Sequence, residues 1–172
     1  MGRITFITGP VRSGKSRFAL DLAKGWGDGV VFVATYRVGA ADEEMAQRVR
    51  RHQAERPASW RTLEAPEDLP TPLRLMDPAP SGVLLDCLTL WLSARMELDD
   101  QALLNEWARV LVCLRDAPWP SVIVGNEVGW SPVPESPVLR RFRDLAGWLG
   151  QSTARAADDA HLCVAGCPLR LK

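Results

Sequence analysis

Near the start of the chain, Gly9-Pro10-Val11-Arg12-Ser13-Gly14-Lys15-Ser16 reads as Gly, four residues, Gly-Lys-Ser. That spacing suits a loop whose successive backbone N–H groups surround phosphate oxygens. Gly9 and Gly14 let the main chain come close to the anion, since neither carries a Cβ. A helix starting at the loop adds the positive end of its dipole. Lys15 is then placed to reach β and γ phosphates, and the Ser16 hydroxyl to ligate magnesium. The expected ligand is a nucleoside triphosphate.

Further chemistry sits where apolar runs end. Thr35-Tyr36-Arg37 follows one run, Asp86 closes Val83-Leu84-Leu85, and Asn126-Glu127 follows Val122-Ile123-Val124-Gly125. An acid at the end of a buried strand supplies the hard oxygen that magnesium takes, so Asp86 joins Ser16 as a candidate ligand. Asp also caps helices, and one is expected to start at Cys87. Glu127 reads either as a second acid near metal or substrate, or as a turn former ahead of Gly129.

Between Ala41 and Pro57 the acids come first and the bases last, as a helix dipole prefers, and Pro57 stops the pattern. Met45, Val49 and His52 fall on one stripe, with Glu44 and Arg48 beside it. His52 therefore has two readings, a packed histidine with a satisfied hydrogen bond or a nucleophile for phosphorus. A neutral imidazole attacks a phosphate without a separate base, giving a phosphoramidate. Arg48, Arg51 and Arg56 are either phosphate clamps or solvated helix charges.

These groups need elements to position them. Apolar runs at Ile4–Thr8, Val30–Thr35, Val83–Asp86, Ser121–Asn126 and His161–Ala165 alternate with longer amphipathic segments, which predicts a parallel sheet with helices on both faces. Ser16–Lys24 reads as the helix leaving the loop, Leu69–Met76 as a short helix among Pro66, Pro70, Pro72, Pro78 and Pro80, and Pro137–Leu149 as an amphipathic helix. Trp60–Leu63 and Leu169–Leu171 are expected as minor strands. The fold class is α/β, a P-loop NTPase-like (RecA-like) three-layer sandwich with a mostly parallel central sheet, in one domain over residues 1–172.

Lys plus Arg equals Asp plus Glu at 21 each, so no global basic field points to nucleic acid. With the loop starting at Gly9 there is no place for a cleavable signal segment, and no apolar run is long enough to span a membrane; the expected compartment is the cytoplasm. Cys87, Cys113, Cys163 and Cys167 are expected as reduced thiols, the first two in the core. His161-Leu162-Cys163 with Cys167 has too sparse a spacing for a zinc site.

The ordered set Thr-Gly-Pro-Val-Arg-Ser-Gly-Lys-Ser, Val-Ala-Thr, Asp-Glu-Glu-Met-Ala with Arg48 and His52, Arg-Pro-Ala-Ser-Trp-Arg-Thr, Leu-Leu-Asp-Cys-Leu-Thr-Leu-Trp-Leu, Asn-Glu-Val-Gly and Phe-Arg-Asp-Leu-Ala-Gly resembles the bifunctional adenosylcobinamide kinase / adenosylcobinamide-phosphate guanylyltransferase family. The resemblance implies two steps of cobalamin nucleotide-loop assembly. ATP or GTP phosphorylates the aminopropanol hydroxyl of adenosylcobinamide; GMP then passes from GTP to the new phosphate, giving adenosylcobinamide-GDP and pyrophosphate. It also implies a guanylylated histidine at His52, nucleotide contacts at Gly9 through Ser16, at Thr35, Tyr36 and Arg37, at Gln53, Ala54, Glu55 and Arg56, and at Glu64 and Asp86, magnesium as cofactor, and a homotrimer. The helix at Pro137–Leu149 and the tryptophans are interface candidates. Gly150, Trp130 and Ser131 depart from the resembled pattern. A small-molecule kinase without a covalent step needs no His52, and a nucleotide-binding switch or assembly subunit needs no acceptor; these are the rival readings.

Overall fold

The computed structural model describes residues 1–36, 47, 50, 53–64 and 66–172. Arg37, Arg48, Arg51 and His52 lie outside the described residues, as does most of the helix expected between Ala41 and Pro57. Among the described residues, seven strands and five helices are delimited. In chain order they are β1 (Ile4–Thr8), α1 (Lys15–Lys24), β2 (Val30–Ala34), β3 (Arg61–Glu64), α2 (Pro70–Arg74), β4 (Gly82–Asp86), α3 (Leu88–Ser93), α4 (Asp100–Asp116), β5 (Ser121–Val124), α5 (Pro137–Ala156), β6 (Asp159–Val164) and β7 (Cys167–Arg170).

The strands form one sheet in the order β3-β2-β4-β5-β1-β6-β7. All pairs are parallel except β6 with β7, which are antiparallel. β2, β4 and β5 are buried along nearly their whole length, which is why they read as continuous apolar runs instead of alternating patterns. One face of the sheet presents Ile7, Phe32, Leu84, Val122 and Val124 to Ala19, Leu20 and Ala23 of α1. The opposite face presents Phe6, Val33, Val83, Leu85 and Ile123 to a larger core built from α2, α3, α4 and α5. This is the expected three-layer sandwich.

Two helix boundaries follow from local chemistry. Gly14 stands before α1 with φ of 91°, and no side chain caps the helix, so the first-turn N–H groups face the loop. Asp99 caps α4 by accepting from the Ala102 N–H at 2.8 Å. α5 runs seven residues past the expected end at Leu149, because tertiary contacts override the glycines. Thr153 is fully buried and accepts a hydrogen bond at 2.9 Å from Nε1 of Trp107 in α4, so the last turns are held by packing. Gly147 and Gly150 face open space inside this helix.

The tryptophans divide by burial. Trp60, Trp91, Trp107 and Trp119 are core residues, which removes them as interface candidates, whereas Trp130 and Trp148 are exposed. Cys87 and Cys113 are buried as expected, Cys163 is buried too, and Cys167 is exposed, all as free thiols.

Candidate active site

The phosphate loop leaves the carboxyl end of β1 and enters α1, and two neighbouring segments brace it. The hairpin between β6 and β7 turns at Ala165 and Gly166, both at positive φ, and the Gly166 N–H donates to the Ser13 carbonyl at 3.0 Å. A Cβ on Gly14 would come within 3.1 Å of the Gly166 Cα, and one on Gly9 within 2.4 Å of the Cys163 carbonyl oxygen. Both glycines are thus needed for close packing against the hairpin as well as for access to an anion. On the other flank the Glu127 N–H donates to the Gly9 carbonyl at 3.1 Å.

Within the loop, Lys15 is 8% exposed and its ammonium donates to the Pro10 carbonyl at 2.9 Å, folding the side chain back across the turn. Pro10 and Ser16 are half-buried and Val11, Arg12 and Gly14 are exposed. Arg12 takes a left-handed conformation with φ of 56°. Ser13 is buried, and its hydroxyl has no hydrogen-bond partner among the described residues. An arch of main-chain donors with a lysine lying across it is built to take phosphate oxygens.

The second cluster lies at the same end of the sheet, on β3, β2 and β4. Glu64, Ala34 and Asp86 stand in one row, since Ala34 is in register with both acids. Arg56 lies with its guanidinium carbon 3.3 Å from the Phe32 ring centroid, within the fields of Asp86 and Glu64. Burial lowers the Arg56 pKa, and the two carboxylates oppose that shift. Its Nε is buried without a hydrogen-bond partner among the described residues. Gln53, Ala54 and Glu55 lie exposed just before it and Tyr36 is half-buried after β2.

Thr35 is buried, and its hydroxyl is spent on the turn after β4: it donates to the Cys87 carbonyl at 2.7 Å and accepts from the Cys87 N–H at 2.8 Å. This clamp fixes the direction in which Asp86 leaves the sheet. Cys87, not Asp86, occupies the N-cap position of α3, so helix capping does not explain the carboxylate. Burial, reinforced by Asp86, pushes the Cys87 thiol up, keeping it protonated.

β5 stands between β1 and β4, so the chain leaving it enters the gap between loop and acidic cluster. Asn126 donates from Nδ2 to Thr89 Oγ1 at 2.5 Å and to Cys87 Sγ at 3.3 Å. The Thr8 hydroxyl donates to Glu127 Oε1 at 2.6 Å. Thr8, Thr89 and the hairpin at Gly166 were not among the expected site residues. A short polar side chain at the end of β1 gave the only sequence signal for Thr8; Thr89, in the first turn of α3, and the hairpin are revealed by contacts made on folding.

For magnesium, Ser16 and Asp86 offer a hydroxyl and a carboxylate, the hard oxygen donors this ion takes together with waters and substrate phosphates. Among the described residues no group of three or more His, Cys, Asp or Glu forms a metal cage. That donor set fits an ion carried with the nucleotide.

Loop, sheet order and acidic strand end define a P-loop nucleotide-binding α/β protein. The RadB recombinase structure superposes with a TM-score of 0.54 at 18% identity, covering 94% of this chain and 74% of that one, which places the fold among RecA-like P-loop proteins. The family described as cobinamide kinase / cobinamide phosphate guanyltransferase matches residues 5–171, and the chain belongs to it. A bifunctional adenosylcobalamin biosynthesis protein CobP from Pseudomonas aeruginosa is 44% identical over 167 residues, covering 96% of this chain and 95% of the relative. CobU proteins of the same description from Salmonella typhimurium and Escherichia coli are 37% and 34% identical, each covering 96% of this chain and 98% of the relative. Membership in a kinase and guanyltransferase family sets aside the reading as a switch or assembly subunit.

Proposed function

We propose that this enzyme phosphorylates adenosylcobinamide with ATP or GTP and then transfers GMP from GTP to the product through a guanylylated His52. The observation that carries the reading is the preformed loop under Lys15, at the same end of the sheet as Arg56, Glu64 and Asp86, in a chain matched by the family over nearly its full length. In the first step Lys15 leaves the Pro10 carbonyl for the β and γ phosphates and neutralises charge developing on their oxygens. Magnesium, held by Ser16 and Asp86 when bound, supplies further charge stabilisation. Gly9 through Ser16, Thr35 through Arg37, Gln53 through Arg56 and Glu64 form the nucleotide's surroundings, with the Arg56 Nε a buried donor that has no partner among the described residues.

In the second step a ring nitrogen of neutral His52 attacks the α phosphorus of GTP and pyrophosphate departs. The phosphate of adenosylcobinamide phosphate then attacks the phosphoramidate and takes up the GMP, releasing the histidine. The enzyme works where ATP and GTP are supplied, in the cytoplasm; among the described residues no helix is long and apolar enough to cross a membrane. It acts as a homotrimer, a state supported by exposed Trp130, Val133, Val138 and Leu139.

The test is incubation with magnesium and α-phosphate-labelled GTP of the parent and of His52→Ala. Acid-labile, alkali-stable label on the parent and none on the variant is expected. A folded, GTP-binding parent that takes no label leaves a plain kinase as the reading.

A further inference from the structure

We infer that Glu127 is the proton acceptor of the phosphorylation step and that Thr8 is its positioning residue. This rests on the kinase half of the function proposed above. β5 lies between the strand that delivers the phosphate loop and the strand that ends in Asp86. Beyond its end, the Gly125 N–H donates to the Ile7 carbonyl at 2.8 Å and the Glu127 N–H to the Gly9 carbonyl at 3.1 Å, so the segment runs alongside the opening of the loop. The next carbonyl along, that of Pro10, is where the Lys15 ammonium rests. Glu127 therefore stands at the end of the loop where the lysine that serves the terminal phosphates resides.

Its carboxylate is held, yet one oxygen is unspent. The buried Thr8 hydroxyl donates to Oε1 at 2.6 Å, while Oε2 has no hydrogen-bond partner among the described residues. From the other side Asn126 ties the segment to Thr89 and Cys87, at the turn after β4. A half-buried carboxylate fixed by one oxygen, on the segment that leaves β5 between the loop strand and the strand ending in Asp86, keeps its other oxygen for an incoming alcohol. The acceptor oxygen forms its bond to the γ phosphorus as the bond from that phosphorus to the β–γ bridging oxygen breaks. The nucleoside diphosphate leaves, and the hydroxyl proton passes to Oε2 of Glu127.

The guanylyl step makes no such demand, because its nucleophiles are a neutral imidazole and a phosphate oxygen that carries no proton to be removed. That asymmetry supplies the test, on the full-length protein. Phosphorylation is read as γ-label transferred from GTP to adenosylcobinamide, and guanylyl transfer as pyrophosphate released with adenosylcobinamide phosphate supplied. Glu127→Gln is expected to lower the phosphorylation kcat by about 100-fold or more, in the range of a lost general base, while guanylyl transfer and the Kd for GTP change less than about 3-fold. Thr8→Val is expected to lower the phosphorylation kcat by about 10-fold with the KM for GTP unchanged, and Thr8→Ser to restore it. Phosphorylation unaffected by Glu127→Gln, or both reactions falling together, overturns the assignment. So does a parent that transfers GMP but does not phosphorylate; a parent inactive in both reactions instead overturns the function proposed above.

Discussion

At the scale of single residues the site is decided by close approach. Gly9 meets the chain of β6 so tightly that an added Cβ would sit 2.4 Å from the Cys163 carbonyl oxygen and 2.7 Å from Ser13 Oγ. The hydroxyl can turn aside, but the carbonyl belongs to a paired strand and cannot. Gly9→Ala is expected to cost roughly 1–3 kcal/mol of stability, as overpacking does, and to abolish GTP binding because the loop must lift off the hairpin. Gly129→Ala, where a Cβ meets nothing within 4 Å, is expected to stay within about 0.5 kcal/mol. Urea denaturation and a GTP titration of the two variants check the contrast; equal losses would remove the hairpin from the account. The loop itself was legible in the sequence, since glycine spacing, Lys15 and Ser16 form a local pattern. The hairpin's part was not, because Gly14 and Gly166 meet only through folding.

At the scale of elements, the N-terminal end of the sheet is tied by one carboxylate. Asp158, between α5 and β6, accepts from the Ile4 N–H at 2.7 Å and from Arg115 Nη1 at 3.0 Å, and the same guanidinium donates to the Gly2 carbonyl at 3.1 Å and to the Ala156 carbonyl. One contact set thereby fixes β1, the end of α4 and the end of α5. The Ile4 N–H, with help from Arg115, holds the Asp158 carboxyl below its ordinary range against the opposing effect of burial. A pKa lower in the folded than in the unfolded chain adds stability that is fully present above the ordinary carboxylate value and is lost as pH falls through the folded value. Asp158→Asn is expected to be less stable than the parent at pH 7, with the difference shrinking on acidification to about pH 3. Urea midpoints at the two pH values measure it, and a difference that holds constant would contradict the linkage.

The same scale explains which elements could be read in advance. β1, β2, β4 and β5 are buried on both faces, and their apolar runs announce them. β3 and β7, at the sheet edges, are four residues each and mixed in character, so they showed only as weak signals shifted by one or two positions. The end of α5 was hidden because Gly150 looks like a terminator while Thr153 bonded to Trp107 keeps the helix going. Arg140 and Arg143 each bond carbonyls of the preceding segment: Arg140 those of Pro134 and Glu135, Arg143 those of Gly129 and Pro132. Arg141 instead reaches Asp100 and the Met96 and Leu98 carbonyls. Bonds from side chains to specific carbonyls and carboxylates have no counterpart in periodicity.

Those arginine bonds matter for the whole molecule. They hold residues 129–135 against the start of α5, and the surface so fixed carries Trp130, Val133, Val138 and Leu139 at 62%, 72%, 63% and 55% exposure. Apolar side chains grouped on an ordered surface mark a contact site, whereas scattered ones need no explanation. A closed homotrimer uses a head-to-tail contact, so this patch need only fit a different surface of the neighbouring copy. A charge placed in the centre of such a contact is desolvated without a partner and costs several kcal/mol. The Val138→Asp, Leu139→Glu double variant leaves the buried core untouched, because both side chains are exposed at the first turn of α5. It is expected to sediment as a monomer, with a parent mass about three times larger and the same far-ultraviolet circular dichroism. A variant that sediments with the parent would move the contact elsewhere, and a monomeric parent would end the trimer proposal.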